Sequence, residues 1–371
     1  MSIFQPASAP APMAQVRSRD IPPMLPGAAT VSVVIPCFNY ARFLPFSVNS
    51  ALEQSGVNVE VIIVDDASTD DSLAQAQALS RKDNRVRVLG HVKNTGPVGT
   101  FNDGLAVATG EFLVRLDADD VLTPGSLARA VHLAQAFPRV GLVYGHPIHF
   151  EGELRRPWFR RKVRSWIIWA GESWLDYRCV LGVNCITSPE VLMRTSVVRH
   201  VGGQRELAHT HDMEMWLRIA RASDVGWIDG ADQAWHREHS GSLSARKVDL
   251  MTDLDERAAA FRMLFTDGEG HQATASRRLE TSLHAVANEA VARACQAFVR
   301  GRGDSAEVRG YLEFAHTIAG DLTRLPHGPT LQRSLELGAS GSRRSPVLLA
   351  RAAAYRLGND YRRFRWKATG L

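Results

Sequence analysis

Cysteine is scarce: the 371 residues contain four, Cys37, Cys179, Cys185 and Cys295, and no two form a C-x-x-C pair. That excludes a disulfide framework and the usual zinc-ribbon spacings, and it favours reduced thiols in a cytoplasmic setting. Long apolar runs are missing too. The longest are strand-sized, well short of the roughly 20 residues that a bilayer-spanning helix needs, so a membrane channel is excluded. Neither sign of charge dominates. The 44 Lys plus Arg exceed the 39 Asp plus Glu by only +5, which suits small anionic ligands but is no nucleic-acid signature. Repeats are absent. Residues 1–30, rich in Ala and Pro, lack the basic start and apolar stretch of a secretory signal and read as a flexible leader.

What is present begins at residue 31. Short apolar runs at 31–35, 59–64, 86–89, 112–116 and 140–144 alternate with amphipathic stretches at 44–54, 72–80, 98–108 and 124–136. Such alternation predicts an α/β fold with a parallel sheet, helices on both faces, and a ligand crevice beyond the carboxyl ends of the strands. The stretch 146–248 is less regular and carries seven of the eight tryptophans and the basic residues Arg155, Arg156, Arg160, Arg161, Lys162 and Arg164. Those tryptophans read either as sugar platforms or as ordinary core. From 249 to 371 the composition is that of helices, with breaks near 301–303 and 325–329.

Two acidic constellations follow apolar runs directly. In the first, Asp65-Asp66-Ala67-Ser68-Thr69-Asp70-Asp71, the adjacent acids at a strand end repel each other unless something binds there. Asp66 could accept the N3 hydrogen of a uracil or thymine ring. Ser68 or Thr69 reads as the cap of the next helix, with Asp71 near the reciprocal position of a capping box. In the second, Asp117-Ala118-Asp119-Asp120, an extended backbone would put Asp117 and Asp119 on one side, able to share a ligand. Hard oxygen donors with room for waters suit Mg2+ or Mn2+, with a diphosphate completing the shell. The bland alternative is an acidic surface turn. Thr123 and Pro124 then read as the cap and first turn of a helix.

Neither motif decides alone, but their order does. With Val33-Val34-Ile35-Pro36-Cys37-Phe38-Asn39 before them, Lys93-Asn94-Thr95-Gly96 between, and Gly110-Glu111 leading into the second, residues 31–245 resemble the family 2 glycosyltransferases. The resemblance implies a GT-A fold, Rossmann-like, divided into a nucleotide-binding half at 31–145 and an acceptor half at 146–248, followed by a helical C-terminal region at 249–371. It implies that Pro36 and Phe38 line the base pocket, Asp66 reads the pyrimidine, Asp117 lies near the ribose and Asp119 holds Mn2+ or Mg2+. A nucleotide-sugar donor, UDP or dTDP first, and a glycan or lipid-linked acceptor follow from it, with inversion at the anomeric carbon. The segment His209-Thr210-His211-Asp212-Met213-Glu214 looks like the family's later acidic motif, which makes Asp212 the general base; the alternative is a helix cap. His236-Arg237-Glu238-His239 is similar to a family segment that closes over the diphosphate, so His239 is expected at the metal or a phosphate, unless the loop is merely solvated.

Departures and rivals belong beside that resemblance. His211 stands where an acid is usual, and Phe101 stands where an arginine commonly precedes Asn102. A zinc site of His209, His211, His236 and His239 lacks standard structural spacing. A nucleotidyltransferase would want Gly-rich backbone donors after Ile35, and they are absent. A degenerate family member acting as a scaffold is the rival that is no enzyme. Finally, residues 346–367 set arginines beside Leu, Tyr, Phe and Trp on two mixed faces; this reads as a peripheral contact with the inner membrane surface or as a helix with a solvated basic face.

Overall fold

The computed structural model describes residues 14–21, 29–152, 157–239, 249–266 and 272–371. The five expected apolar runs are strands: β2 (Thr30–Cys37), β3 (Asn58–Asp65), β4 (Val86–Gly90), β5 (Phe112–Arg115) and β7 (Val140–Glu151), while β1 (Val16–Ser18) and β6 (Val121–Leu122) are short. Between them lie α1 (Leu44–Leu52), α2 (Ser72–Lys82), α3 (Gly96–Val107) and α4 (Ser126–Ala136). Near-continuous Val and Ile runs fit strands covered on both faces. Alternation sorts them: Val33, Ile35, Val61 and Ile63 pack on one side of the sheet, while Val34, Ile62 and Val64 pack on the other.

The remaining elements of the sheet are β8 (Ser165–Trp169), β9 (Leu192–Arg194) and β10 (Asp224–Glu238), with α5 (Gly171–Leu181), α6 (Thr195–Val201) and α7 (His211–Ala222) between them. The strand order is β1-β8-β10-β7-β9-β5-β2-β3-β4, with β6 on β10. β5, β2, β3 and β4 are parallel as expected. The sheet as a whole is mixed, because β9 runs antiparallel to β5 and β7, and β8 runs antiparallel to β10 and β1. An apolar run buried on both faces reports a strand and is silent about its direction. Within the expected leader, β1 pairs with β8, so that part is an edge strand; residues 1–13 and 22–28 lie outside the described residues. α4 begins two residues later than the Thr-Pro pair suggests, capped by Gly125 at φ 74°, because the Thr123 hydroxyl donates instead to the carbonyl of Asp232 in β10.

The tryptophans resolve as core. Trp166, Trp169, Trp174, Trp216, Trp227 and Trp235 are buried, and only Trp158 of the seven stands exposed. Among the described residues, five α-helices close the chain: α8 (Leu250–Thr266), α9 (Gln272–Val299), α10 (Ala306–Ala319), α11 (Gly328–Arg344) and α12 (Pro346–Thr369). α9 packs on α5, α8, α10, α11 and α12. Its Val286, Ala290 and Phe298 and the Leu254 and Phe261 of α8 share one apolar cluster with Trp174 and Trp216.

Candidate active site

The parallel register aligns the strand ends: Cys37 sits opposite Asp65, and Val34 sits opposite Arg115. Both acidic constellations therefore emerge on one edge. Near the end of β2, Pro36 is half-buried, and just beyond the strand the Phe38 side chain is exposed. The loops after β2 and β3 are stapled together. Asn39, at φ 62°, accepts from the Thr69 N–H at 2.8 Å; Ser68 Oγ accepts from the Asn39 N–H at 3.0 Å; Ser72 Oγ accepts from the Tyr40 N–H at 2.9 Å. The expected helix cap is thereby corrected. Asp71 is the N-cap of α2 with no side-chain cap bond, and Ser68 and Thr69 are occupied in joining the two loops.

Asp66 anchors the start of α3. Its Oδ1 accepts from the Thr95 N–H at 2.7 Å and the Thr95 hydroxyl at 3.0 Å and lies 2.8 Å from His91 Nδ1, while Oδ2 accepts from the Gly96 N–H at 2.9 Å. Burial would raise its pKa, but these donors outweigh it and hold the carboxyl below the usual range. Oδ2, with one donor, keeps a lone pair for a further one. Its neighbour Asp65 is buried, with Oδ2 taken by the Ser68 N–H at 3.1 Å and Oδ1 unpartnered among the described residues.

The second constellation is a turn and not an extended segment, since the Asp120 N–H donates to the Asp117 carbonyl at 3.0 Å. Asp117 and Asp119 consequently take different partners. Asp117 Oδ1 lies 3.0 Å from Arg115 Nε; burial works to raise its pKa and Arg115 more than offsets it, so Asp117 stays ionised. Arg115 also donates to Gln204 Oε1 at 2.8 Å and sits 5.8 Å over the Phe101 ring. Phe101 thus supports a cation that β5 supplies. Asp119 Oδ2 lies 2.9 Å from His239 Nε2. Burial, then the charges of Asp120 and Asp117, push the Asp119 carboxyl well above its ordinary range.

Behind them, His236 Nδ1 is 3.0 Å from Asp120 Oδ2. Burial would lower the imidazole, but Asp120, with Asp117 beyond, raises it to about 10, so His236 is a cation at neutral pH. Arg237 donates to the Asp119 carbonyl at 3.1 Å and its guanidinium is 4.5 Å from the rings of both Phe43 and Phe150. It is buried and braces the turn. Asp119 Oδ2 and His239 Nε2, an oxygen and a nitrogen donor side by side with further acids behind them, would fit a divalent cation completed by waters and diphosphate, whose charge would offset the repulsion that raises the carboxyl. Among the described residues no three His, Cys, Asp or Glu side chains form a closed cage. The four-histidine zinc site is likewise not assembled: His209 faces Asp253, His211 faces the Leu207 carbonyl, and His236 and His239 face Asp120 and Asp119.

Asp212 lies in the first turn of α7, inside the helix; the N-cap is Thr210. Its Oδ1 accepts from the Met213 N–H at 2.6 Å and Oδ2 is 3.5 Å from Ser188 Oγ. Burial raises its pKa against the pull of Arg115, which suits a base. His211 is held neutral, since burial, helped by Arg115, lowers it to about 3. It therefore brings no charge to Asp212. Asp117 and Asp212 share a cleft of about 320 Å³, with Arg115, Ser188 and His236 in its lining. Asp253 and Arg257 of α8 and Glu289 of α9 complete it. Arg257 donates to the Gly182 carbonyl at 2.7 Å and pairs with Glu289 at 3.0 Å and Asp253 at 2.8 Å. No motif marks these three residues in the sequence; helical composition alone hides them.

Residues 32–201 match the family described as "Glycosyl transferase family 2". An uncharacterized glycosyltransferase of Nostoc sp. is 40% identical over 115 residues, 31% of this chain and 35% of that protein. The succinoglycan biosynthesis protein ExoO of Rhizobium meliloti is 37% identical over 31% of this chain and 32% of its own. The GalNAc(5)-diNAcBac-PP-undecaprenol beta-1,3-glucosyltransferase of Campylobacter jejuni is 36% identical over 28% of this chain and 34% of its own. The chain thus spans about a third of the length of these relatives. In fold, it is similar to S. aureus TarS 1-349 in complex with UDP-GlcNAc, with TM-score 0.57 and 17% identity over 89% of this chain and 92% of that one. It is also similar to mannosyltransferase PcManGT from Pyrobaculum calidifontis in complex with GDP-Man and Mn2+, with TM-score 0.55 and 18% identity over 95% and 86%. The architecture is that of GT-A glycosyltransferases with a helical C-terminal region. Asp212, His236 and His239 fall outside the matched segment, whereas both acidic strand ends fall within it, and over that segment the chain is similar to glycosyl transferase family 2.

Proposed function

We propose that the protein transfers a sugar from a nucleoside diphosphate to a hydroxyl of a glycan or lipid-linked acceptor, with inversion, in the cytoplasmic assembly of a cell-surface polysaccharide. The observation that carries this reading is the cleft shared by Asp117, which stays ionised at the nucleotide end, and Asp212, whose carboxyl is raised and poised to take a proton. The nucleotide-sugar complexes of the two structural neighbours and the undecaprenol-linked substrate in one relative's name support the donor and acceptor classes. Pro36 and Phe38 would bracket the base, with Asp66 Oδ2 as its acceptor and Asp117 near the ribose. Asp212 removes the acceptor hydroxyl's proton as that oxygen bonds to the anomeric carbon and the bond to the diphosphate breaks on the opposite face. His236 and Arg115 keep positive charge beside that leaving group. Mn2+ or Mg2+ held by Asp119 and His239 would neutralise the departing diphosphate. Asp253 and Glu289 offer carboxylates to acceptor hydroxyls.

The test is transfer or donor hydrolysis across UDP, dTDP and GDP sugars, with and without Mn2+, for wild type, Asp119→Ala and Asp212→Asn. One donor should turn over only with metal. Asp212→Asn should lose about 10²- to 10⁴-fold in kcat while still binding donor, and wild-type kcat should fall as pH drops through the raised pKa of Asp212. A well-folded wild type that binds donor and turns none over makes the scaffold reading the better one.

A further inference from the structure

The side of α12 that faces away from the core is a single apolar line. Val347, Leu357, Tyr361 and Phe364 are 58%, 69%, 64% and 69% exposed, and Ala350, Ala354 and Ala368, also exposed, fill the positions between them. The spacing alternates three and four residues, which keeps all seven on one face of a helix that is 24 residues long and so about 36 Å from end to end. The other side is packed: Leu348 and Ala352 are buried, and Trp366 lies edge-on to His146. The mixed faces read from sequence are therefore resolved, because the aromatics belong to two different sides. Around the stripe stand Arg351, Arg356, Arg362, Arg363 and Lys367, all exposed, with Arg343 and Arg344 just before the helix and Asp360 as its only acid.

We infer that this face is a docking surface for an anionic lipid bilayer, with α12 lying in the plane of the interface. Charge chooses the occupant. A second copy of α12 would place arginines against arginines, whereas a helical seam wants opposite charges at its flanks. An anionic surface satisfies both features at once: the apolar stripe sinks to the acyl boundary while the flanking cations reach lipid phosphates. Among the described residues no helix is long and apolar enough to cross a membrane, so such contact would be peripheral. The inference does not depend on the reaction proposed above.

The experiment is flotation of the full chain with phosphatidylcholine vesicles and with vesicles that add phosphatidylglycerol, at low and high salt. Two variants are compared with wild type: Leu357→Ser with Tyr361→Ser and Phe364→Ser, and Arg356→Glu with Arg363→Glu and Lys367→Glu. Because every changed side chain is exposed, thermal melts should match wild type, and donor turnover in solution should be unchanged. Wild type should bind the anionic vesicles only, release at high salt, and lose at least about ten-fold in bound fraction in each variant. Failure to bind anionic vesicles, equal binding by either variant, or a dimer in light scattering that the serine variant abolishes would each overturn the inference.

Discussion

Glu190 shows how much of the site is decided by single buried groups. It is fully enclosed, its Oε1 accepts from the Thr187 N–H at 2.6 Å, and burial, against the opposing Thr187 bonds, raises its pKa from 4.5 to about 8. At neutral pH it is therefore a neutral acid that can donate to the Thr187 hydroxyl. The sign for stability follows from the raised folded value: the stabilisation is complete below about 4.5 and is lost progressively as pH rises to about 8, while the unfolded chain ionises first. Glu190→Gln keeps both hydrogen bonds and cannot ionise. Urea unfolding at pH 5 and pH 8.5 should show the variant gaining on wild type at the higher pH. An unchanged gap would mean that Glu190 is ionised in the fold. By contrast Asp66, Asp117, Asp119 and Asp212 were legible because acids at strand and helix ends stand out in a sequence. Arg115, Asp120, His236 and Glu190 were not, since their meaning lies in partners such as the Asp120–His236 pair, 116 residues apart.

At the scale of elements, α7 carries more than the base. Arg218 and Glu214, one turn apart and both buried, pair at 2.7 Å, and the same guanidinium donates to the carbonyls of Val201, Gly202 and Gly203. That clamps the turn leading to Gln204, which exchanges backbone and side-chain bonds with Asn102 and receives Arg115. A path of contacts thus runs from the buried face of α7 to the carboxylate at Asp117. Arg218→Met should cost about 3 kcal/mol, because it takes one of two guanidinium partners from the buried Glu214, which keeps Arg205 at 3.1 Å, and removes a donor from three carbonyls. Adding Glu214→Leu should recover part of that stability without restoring the turn. Donor affinity measured by calorimetry should stay weakened in the double variant; full recovery would show that the turn needs no clamp. The elements themselves were largely legible. Every expected strand and helix between 31 and 145 is present, since continuous Val and Ile runs and helical periodicity are local signals. The five expected strands all run parallel, while the caps at Ser68 and Thr123 and the turn at Asp117–Asp120 were misread because each is decided by a neighbour remote in sequence: Asn39 takes Thr69, and Asp232 takes Thr123.

For the whole molecule, the sequence suggests a boundary near residue 249, where composition turns helical, and the packing does not respect it. Leu254, Ala258, Phe261 and Leu264 of α8 and Val286, Ala290 and Val291 of α9 lie in the same cluster as Trp169, Trp174, Trp216 and Trp227. Arg257 ties α8 to the Gly182 carbonyl that ends α5, and Arg278 of α9 pairs with Glu172 and Asp176 on α5. The last turn of α12 returns to the sheet, where the Tyr144 hydroxyl donates to the Gly370 carbonyl and Gly370 sits against the Trp227 ring. We propose accordingly that residues 249–371 are a second wall of the catalytic unit, not a separable domain. The full chain should melt in one calorimetric transition, with equal calorimetric and van't Hoff enthalpies. A chain ending at residue 248 should be aggregated or dye-binding, because it would expose the indoles and Met215 that α8 and α9 now cover. A milder change isolates the wall's chemistry from its packing: Asp253 is partly exposed in the cleft, so Asp253→Asn should leave the melt and donor hydrolysis intact while raising the acceptor KM. Two resolved transitions, or a folded and active 1–248 fragment, would return the helices to the status of an appendage.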